Sequence, residues 1–494
     1  MSARALSNRQ VLEFYEHKIS SYNDENAMVE VAHLLLDGAD GVPRDSKRAV
    51  QLLERAAKQC RDPRAMFDLA MIFDFGHGDI PANPKRSQLL YETVMRARKD
   101  GSATNNLAYL FERGTKQVPR DIHRAVQLYE RAIVQHDNIV SMYNLAGLLW
   151  SGDHGATIDA PRAVKLFRRA IRKGNDVESM VDLASALFEG GKGVPSNPRR
   201  AVKWYNKAIE ANSIDAKEAL AAILDAGAKG VPADPMRALQ LYEEVLQQRK
   251  SVGAMMSLGN MLLHGRRGAP QNPIRALQLF EEAVTEEKGI GAKFHLATLL
   301  TKGMTGIAAN PVRAVQLYET IVEKRCDVRA LTNLAVMLQK DVEGVPADHK
   351  RAVILYEQAL ERKFAPAAYN LAMTFKRGYE GVPKDEARAL TLMEKAVKLS
   401  TDTGMKTQAI VELGKMVQQG TPDHRPDAKR AVKLYKRAIE RGSDEAKRCL
   451  AALLLKGAKG VKADVTMATK LYTESADDTG HPDAIKSLSR IVGD

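Results

Sequence analysis

The sequence predicts an all-α fold, a right-handed superhelical solenoid of about twelve helix-turn-helix repeats. Three observations carry that expectation. A segment such as Arg48-Ala49-Val50-Gln51-Leu52 recurs twelve times at a spacing of about 38 residues, its small anchor residue running from Ala49 and Ser87 to Ala431 and Ala468. A second ruler, Leu followed by Ala or Gly, runs from Leu69 and Leu107 through Leu413 to Leu450, and two rulers mean two elements per repeat. Composition agrees, because 45% hydrophobic, 27% charged and only 5% aromatic residues suit a stack that buries its core piecewise.

Taken in order, residues 1–23 are expected to form an N-terminal capping helix. Ser7-Asn8-Arg9-Gln10 reads as a capping box ahead of Val11, Leu12, Tyr15 and Ile19. Residues 24–480 then hold the repeats as one solenoid. In the third copy Leu107, Leu110 and Phe111 fall at i, i+3 and i+4, one face of a first helix. Seven residues past the ruler position stands Gly in every copy from Gly38 to Gly457 except at Asp341, and an αL C-cap is expected there. A turn such as Gly41-Val42-Pro43 follows. Asp or Asn four residues before every anchor, from Asp45 to Asp464, is placed to cap the second helix, often with Pro next, as at Pro84 and Pro311. The second helix carries Leu-Tyr or a close relative, as in Leu317-Tyr318, whose ring is expected to pack between helices. The step from Ala389 to Ala431 is stretched, so an irregular connector is expected near 399–406. Residues 481–494 repeat only a first helix, with Ile485, Leu488 and Ile491 expected inward, and read as a C-terminal capping helix.

The order Leu-Ala/Gly, Gly, Gly-Val-Pro, Asp/Asn, Arg-Ala and Leu-Tyr closely resembles the SEL-like repeat, a relative of the tetratricopeptide repeat. That resemblance implies a tetratricopeptide-like solenoid serving as an adaptor, and it names no partner. The chain departs from the family in favouring Arg before the anchor, from Arg48 to Arg430. Such uniformity suggests an inter-repeat hydrogen bond or salt bridge.

By the same resemblance the first helices line a concave face, where polar residues are the sites to weigh. Asn106 and Asn144 precede the ruler Leu in adjacent repeats, and Asn333 and Asn370 do so further on. Their amides offer donor and acceptor together, which suits an extended peptide main chain, although helix-helix hydrogen bonding accounts for the same residues. One residue before the capping position, Lys302, Lys340 and Arg377 come from three consecutive repeats. The helix dipole alone favours them there, and the sharper expectation is a positive ladder that receives an acidic segment, with Trp150 as an aromatic anchor nearby in its own repeat. A basic outer patch is expected from Arg162, Lys165, Arg169 and Arg172, continued by Arg200, Lys203 and Lys207. With a net charge of +13 it suits RNA or an anionic membrane, but a solvated face is the ordinary explanation and no interleaved stacking aromatics are expected.

Catalytic signatures are absent: there is no phosphate loop, no Gly-x-Ser-x-Gly elbow, no His-Glu-x-x-His and no kinase motif, and the eleven His are scattered. No catalytic residue, metal, cofactor or small-molecule substrate is therefore expected. Cys60, Cys326 and Cys449 lie in different repeats without a CxxC pair, and no signal pattern or 18-residue apolar run is seen, so the expected address is cytoplasmic. The expected function is a non-catalytic adaptor that holds one or more proteins in the concave groove. The alternatives are a basic-surface binder of RNA or anionic membrane, or a structural component of a larger assembly.

Overall fold

Twelve side-chain caps set the register of the fold. Asp45 accepts the Arg48 backbone N–H at 2.9 Å, and the same bond to the third residue on recurs at every Asp or Asn singled out in the sequence, through to Asp464 and the N–H of Met467. Each bond satisfies an N–H that would otherwise be orphaned at the start of a second helix. The computed structural model describes residues 7–39, 41–98, 100–265, 268–286, 289–479 and 481–493, and among them the regular structure is α-helical with only isolated β-bridges.

A repeat is thus a first helix, a tight turn and a second helix, as in Gly101–Arg113 with Ile122–His136, or Ile139–Ser151 with Ala160–Gly174. First helices are also capped by a side chain, at Asp24, Asp62, Asp100, Asn138 and Asp176 among others, a regularity the two sequence rulers do not register. The capping glycines differ from expectation. Gly38 (φ 69°, ψ 156°) and Gly303 (φ 66°, ψ −176°) have positive φ but an extended ψ, a region close to glycine-only, and only Gly152 (φ 68°, ψ 20°) is an αL cap. The reason is the turn that follows. Ala39 and Val42 exchange backbone hydrogen bonds of 3.0 and 2.8 Å, which bends the chain back at once and buries Val42.

Stacking supplies the core. The second-helix rings of Tyr91, Tyr129, Tyr242, Tyr318, Tyr356 and Tyr435 are wholly buried, as is every anchor from Ala49 to Ala468. The Arg before the anchor has a defined partner. Arg48 pairs with Glu16 at 2.5 Å, Arg124 with Glu92 at 2.9 Å, Arg162 with Glu130 at 2.6 Å and Arg351 with Glu319 at 2.6 Å, while Arg86, Arg313, Arg388 and Arg430 reach Glu54, Glu281, Glu357 and Glu394. Every one of these bridges joins consecutive second-helix positions, or the opening helix to the first of them. Where a Phe stands four residues past the ruler position of the first helix, the same guanidinium also lies over its ring, 4.2 Å from the centroids of Phe73, Phe111 and Phe375 for Arg86, Arg124 and Arg388.

The chain divides into two compact units, Met1–Arg249 and Lys250–Asp494, which hold repeats one to six and seven to twelve. In the first, the helix Asn8–Tyr22 opens with the Ser7–Gln10 capping box and buries Ile19. In the second, the stretched step is absorbed largely as an added helical turn, because the helix Thr403–Gln419 has 17 residues where Ala365–Arg377 and Asp444–Lys456 have 13. The last helix, Pro482–Gly493, buries Ala484 but leaves Ile485 51% exposed. The inward expectation for Ile485 is therefore corrected, since Ala484 occupies the packed face.

Candidate functional site

The residues expected to form a binding groove lie on first helices, and their surroundings differ. Asn106 donates to the Tyr91 hydroxyl at 3.4 Å, Asn333 to the Tyr318 hydroxyl at 3.1 Å, and Asn144 to Asn105 Oδ1 at 3.2 Å. In two of the three, the Asn of one repeat satisfies the buried phenol of the repeat before it. For Asn370 the backbone carbonyl accepts from Thr374 at 2.8 Å, and its side-chain amide has no hydrogen bond among the described residues. Lys302, Lys340 and Arg377 are exposed at the ends of three consecutive first helices, and no ion pair engages them among the described residues. The adjacent Lys376, which sequence reasoning passed over, is paired instead. It reaches Glu412 at 3.1 Å, and Lys415 ties Glu412 at 2.7 Å to Glu445 at 2.6 Å. Burial alone would raise the Glu412 carboxyl, and the two lysines overturn that and hold it below its ordinary value.

Trp150 belongs to a different arrangement. It lines a cleft of about 380 Å³ spread over the first helices Gly101–Arg113, Ile139–Ser151 and Val177–Glu189, with Tyr109, Glu112, Tyr143, Gly147 and Asp182 among its walls. Glu112 accepts from the Tyr129 hydroxyl at 2.7 Å. Burial pushes the Asp182 carboxyl up, against the lowering effect of its bond to Tyr143, and pushes the Tyr143 phenol up to about 12. Neither acid has an ion pair among the described residues. Of this group only Asn144 and Trp150 stood out in the sequence, because the two rulers reward regular positions and the cleft is made of departures from them.

The basic outer patch is partly spent on structure. Arg162 pairs with Glu130, and Arg169 with Asp137 at 2.5 Å beside Lys173, which together hold that carboxyl low. Arg200 stands where the Arg–Glu ladder breaks, because the residue 32 positions earlier is Arg168 rather than Glu. Around that break Lys165, Arg168, Arg172 and Trp204 line a shallow groove of about 390 Å³, Lys203 is exposed, and the Lys207 ammonium lies 4.6 Å from the Trp204 ring. An aromatic is therefore interleaved with these cations, contrary to expectation. Among the described residues no group of His, Cys, Asp and Glu is set to hold a metal ion, the three cysteines are free, and no helix is long and apolar enough to cross a membrane.

The comparisons with known proteins concern fold. The Sel1 repeat matches twelve segments between residues 26 and 479, beginning 26–59, 63–93 and 101–134. A protective antigen of uropathogenic Escherichia coli displaying an SLR fold is similar over 97% of this chain and 93% of its own, at 22% identity and a TM-score of 0.63. A Sel1 repeat protein from Oxalobacter formigenes is similar over 67% of this chain and 93% of its own, at 19% identity and a TM-score of 0.50. No curated protein matches the chain. The fold is typical of protein-interaction scaffolds. With twelve repeats matched along nearly its whole length, the chain belongs to the Sel1 repeat family.

Proposed function

We propose that this chain is a non-catalytic cytoplasmic adaptor that holds one or more proteins along the face formed by its first helices. Residues 24–480 supply the binding array and the end helices 1–23 and 481–494 cap it. The observation that carries the reading is the contrast between neighbouring cations: Lys376 and Lys415 are tied to carboxylates, whereas Lys302, Lys340 and Arg377 stand exposed and unpaired in register over three repeats. Unneutralised charges repeated along one face suit an acidic partner segment, steering it and adding charge-assisted bonds on docking. Asn370, with its amide uncommitted among the described residues, is the ladder Asn best able to hold a peptide main chain. The test is a nuclease-treated native pull-down compared with the K302E/K340E/R377E variant. Discrete proteins retained by the wild type and lost by the variant support the adaptor, while identical retention by both removes the ladder from it.

A second reading is favoured by Arg168. Its place in the ladder turns a bridge into a cluster of unpaired cations beside Trp204, a combination suited to RNA or an anionic membrane. Binding that falls steeply with salt and disappears in R168E/R172E supports that reading over the adaptor.

A further inference from the structure

The cleft around Glu112 is explained by the repeat that precedes it. There, Asp74 at the fifth position past the ruler Leu69 is neutralised by Arg113 of the next repeat, whose guanidinium also lies 4.8 Å from the Phe75 ring centroid and 5.9 Å from that of Tyr109. One repeat on, the acid at the matching position is Glu112. The residue matching Arg113 is Ser151, and the one matching Tyr109 is Gly147. Both changes remove bulk, and a Cβ built on Gly147 meets nothing within 4 Å. The chain thus keeps the acid, deletes its own cation together with one wall, and leaves the 380 Å³ cleft open at that place.

The walls that remain suit the missing group. Trp150 and Tyr143 supply aromatic rings to the lining, and Asp182 adds a second partly buried carboxylate from the next first helix. Two acids elsewhere on first helices are compensated, Asp74 by Arg113 and Glu412 by two lysines. A carboxylate withdrawn from water without a cation costs stability, and a planar guanidinium stacks on aromatic faces while bonding a carboxylate edge.

We infer that an arginine side chain of a partner protein enters this cleft, its guanidinium bonded to Glu112 and stacked against Trp150, with Asp182 adding negative charge to the same cleft. The partner supplies in trans the group that Arg113 supplies in cis one repeat earlier. This rests on the adaptor reading and specifies a second contact chemistry, a basic residue, for the first unit.

The test uses the full chain with Trp204→Phe, so that Trp150 is the single tryptophan reporter. A decapeptide with one central arginine is titrated against the same peptide carrying citrulline, which keeps the shape and loses the charge. The arginine peptide is expected to bind about tenfold more tightly. Glu112→Gln should erase that preference, Gly147→Leu should block entry without a clash, and Ser151→Arg should abolish binding while raising the melting temperature, because it restores the internal pair. Equal binding of both peptides, or arginine binding unchanged in both Glu112→Gln and Gly147→Leu, overturns the inference. The adaptor reading fails separately: partner capture that is untouched by Glu112→Gln and Gly147→Leu leaves the adaptor standing without this cleft, and arginine binding with no partner captured does the reverse.

Discussion

Tyr318 illustrates how a single polar atom is accommodated in the stack. Its ring is buried, and its hydroxyl is met at 3.0 Å by Thr298 of its own repeat and at 3.1 Å by Asn333 of the next. Thr298 keeps the hydroxyl satisfied when Asn333 is removed, so the loss is that of one typical hydrogen bond, about 0.5–1.5 kcal/mol. Asn333→Ala should therefore lower stability by roughly that amount in urea titration, whereas Asn370→Ala, with no side-chain bond to lose among the described residues, should change it by less than about 0.5 kcal/mol. The paired result would divide the asparagine row into a structural member and a free one. His33 gives a pH signature at the same scale. Its bond to Asp68 at 2.9 Å, opposed by burial and helped by the charges of Asp68, Glu30 and Asp37, raises its pKa above the ordinary 6.5. The sign follows directly: stability from this pair is complete below 6.5 and is lost as pH rises through the raised folded value. His33→Gln should accordingly be destabilising relative to the wild type at pH 6 and near neutral at pH 8.5, with a small amplitude because both groups are partly exposed.

At the scale of the element, the repeat is specified by caps and turns as much as by its apolar stripe. Asp121→Ala removes the acceptor of the Arg124 N–H and should cost about 1 kcal/mol, read as a shift in the urea midpoint with an unchanged slope. The helices and the second-helix caps were legible in the sequence because each depends on a residue type at a fixed offset, and the uniform Arg before the anchor announced an inter-repeat bond without naming its Glu partner. The extended ψ of the capping glycines was not, since αL and extended conformations at positive φ ask for the same residue and only the Ala39–Val42 exchange distinguishes them. The hydroxyls of Tyr91 and Tyr318 drew two of the four ladder asparagines, Asn106 and Asn333, into structural bonding, and a contact between residues 15 positions apart leaves no mark in a 38-residue period. Glu112, Gly147 and Ser151 escaped for the opposite reason. Each is unremarkable alone, and the set acquires meaning only when aligned against Asp74, Tyr109 and Arg113.

At the scale of the molecule, two compact units of six repeats each imply that unfolding is not one all-or-none event. Leu334 is buried in the ninth repeat, and Leu334→Ala should cost about 2–5 kcal/mol locally. Hydrogen exchange should then show faster amides within 250–494 while those of 1–249 keep wild-type protection. A uniform loss across the chain would mean that the units unfold together. The net charge of +13 belongs to this scale too, and because each Arg–Glu bridge cancels itself, the excess is carried by cations outside those bridges.

The arginine ladder has a consequence for how such a chain can change its length. Because Arg313 pairs with Glu281 and Arg388 with Glu357, cutting out residues 315–352 joins Ala314 to Val353 and leaves both bridges with their own partners. A gene can therefore lose or gain one whole link and re-close that seam with both flanking bridges intact, whereas a cut that removes Glu319 but keeps Arg351 strands an arginine. The bridges act as a grammar of permitted edits, and Arg168 and Asn206, which stand at the Glu position of the ladder, mark places where such an edit would not restore a pair.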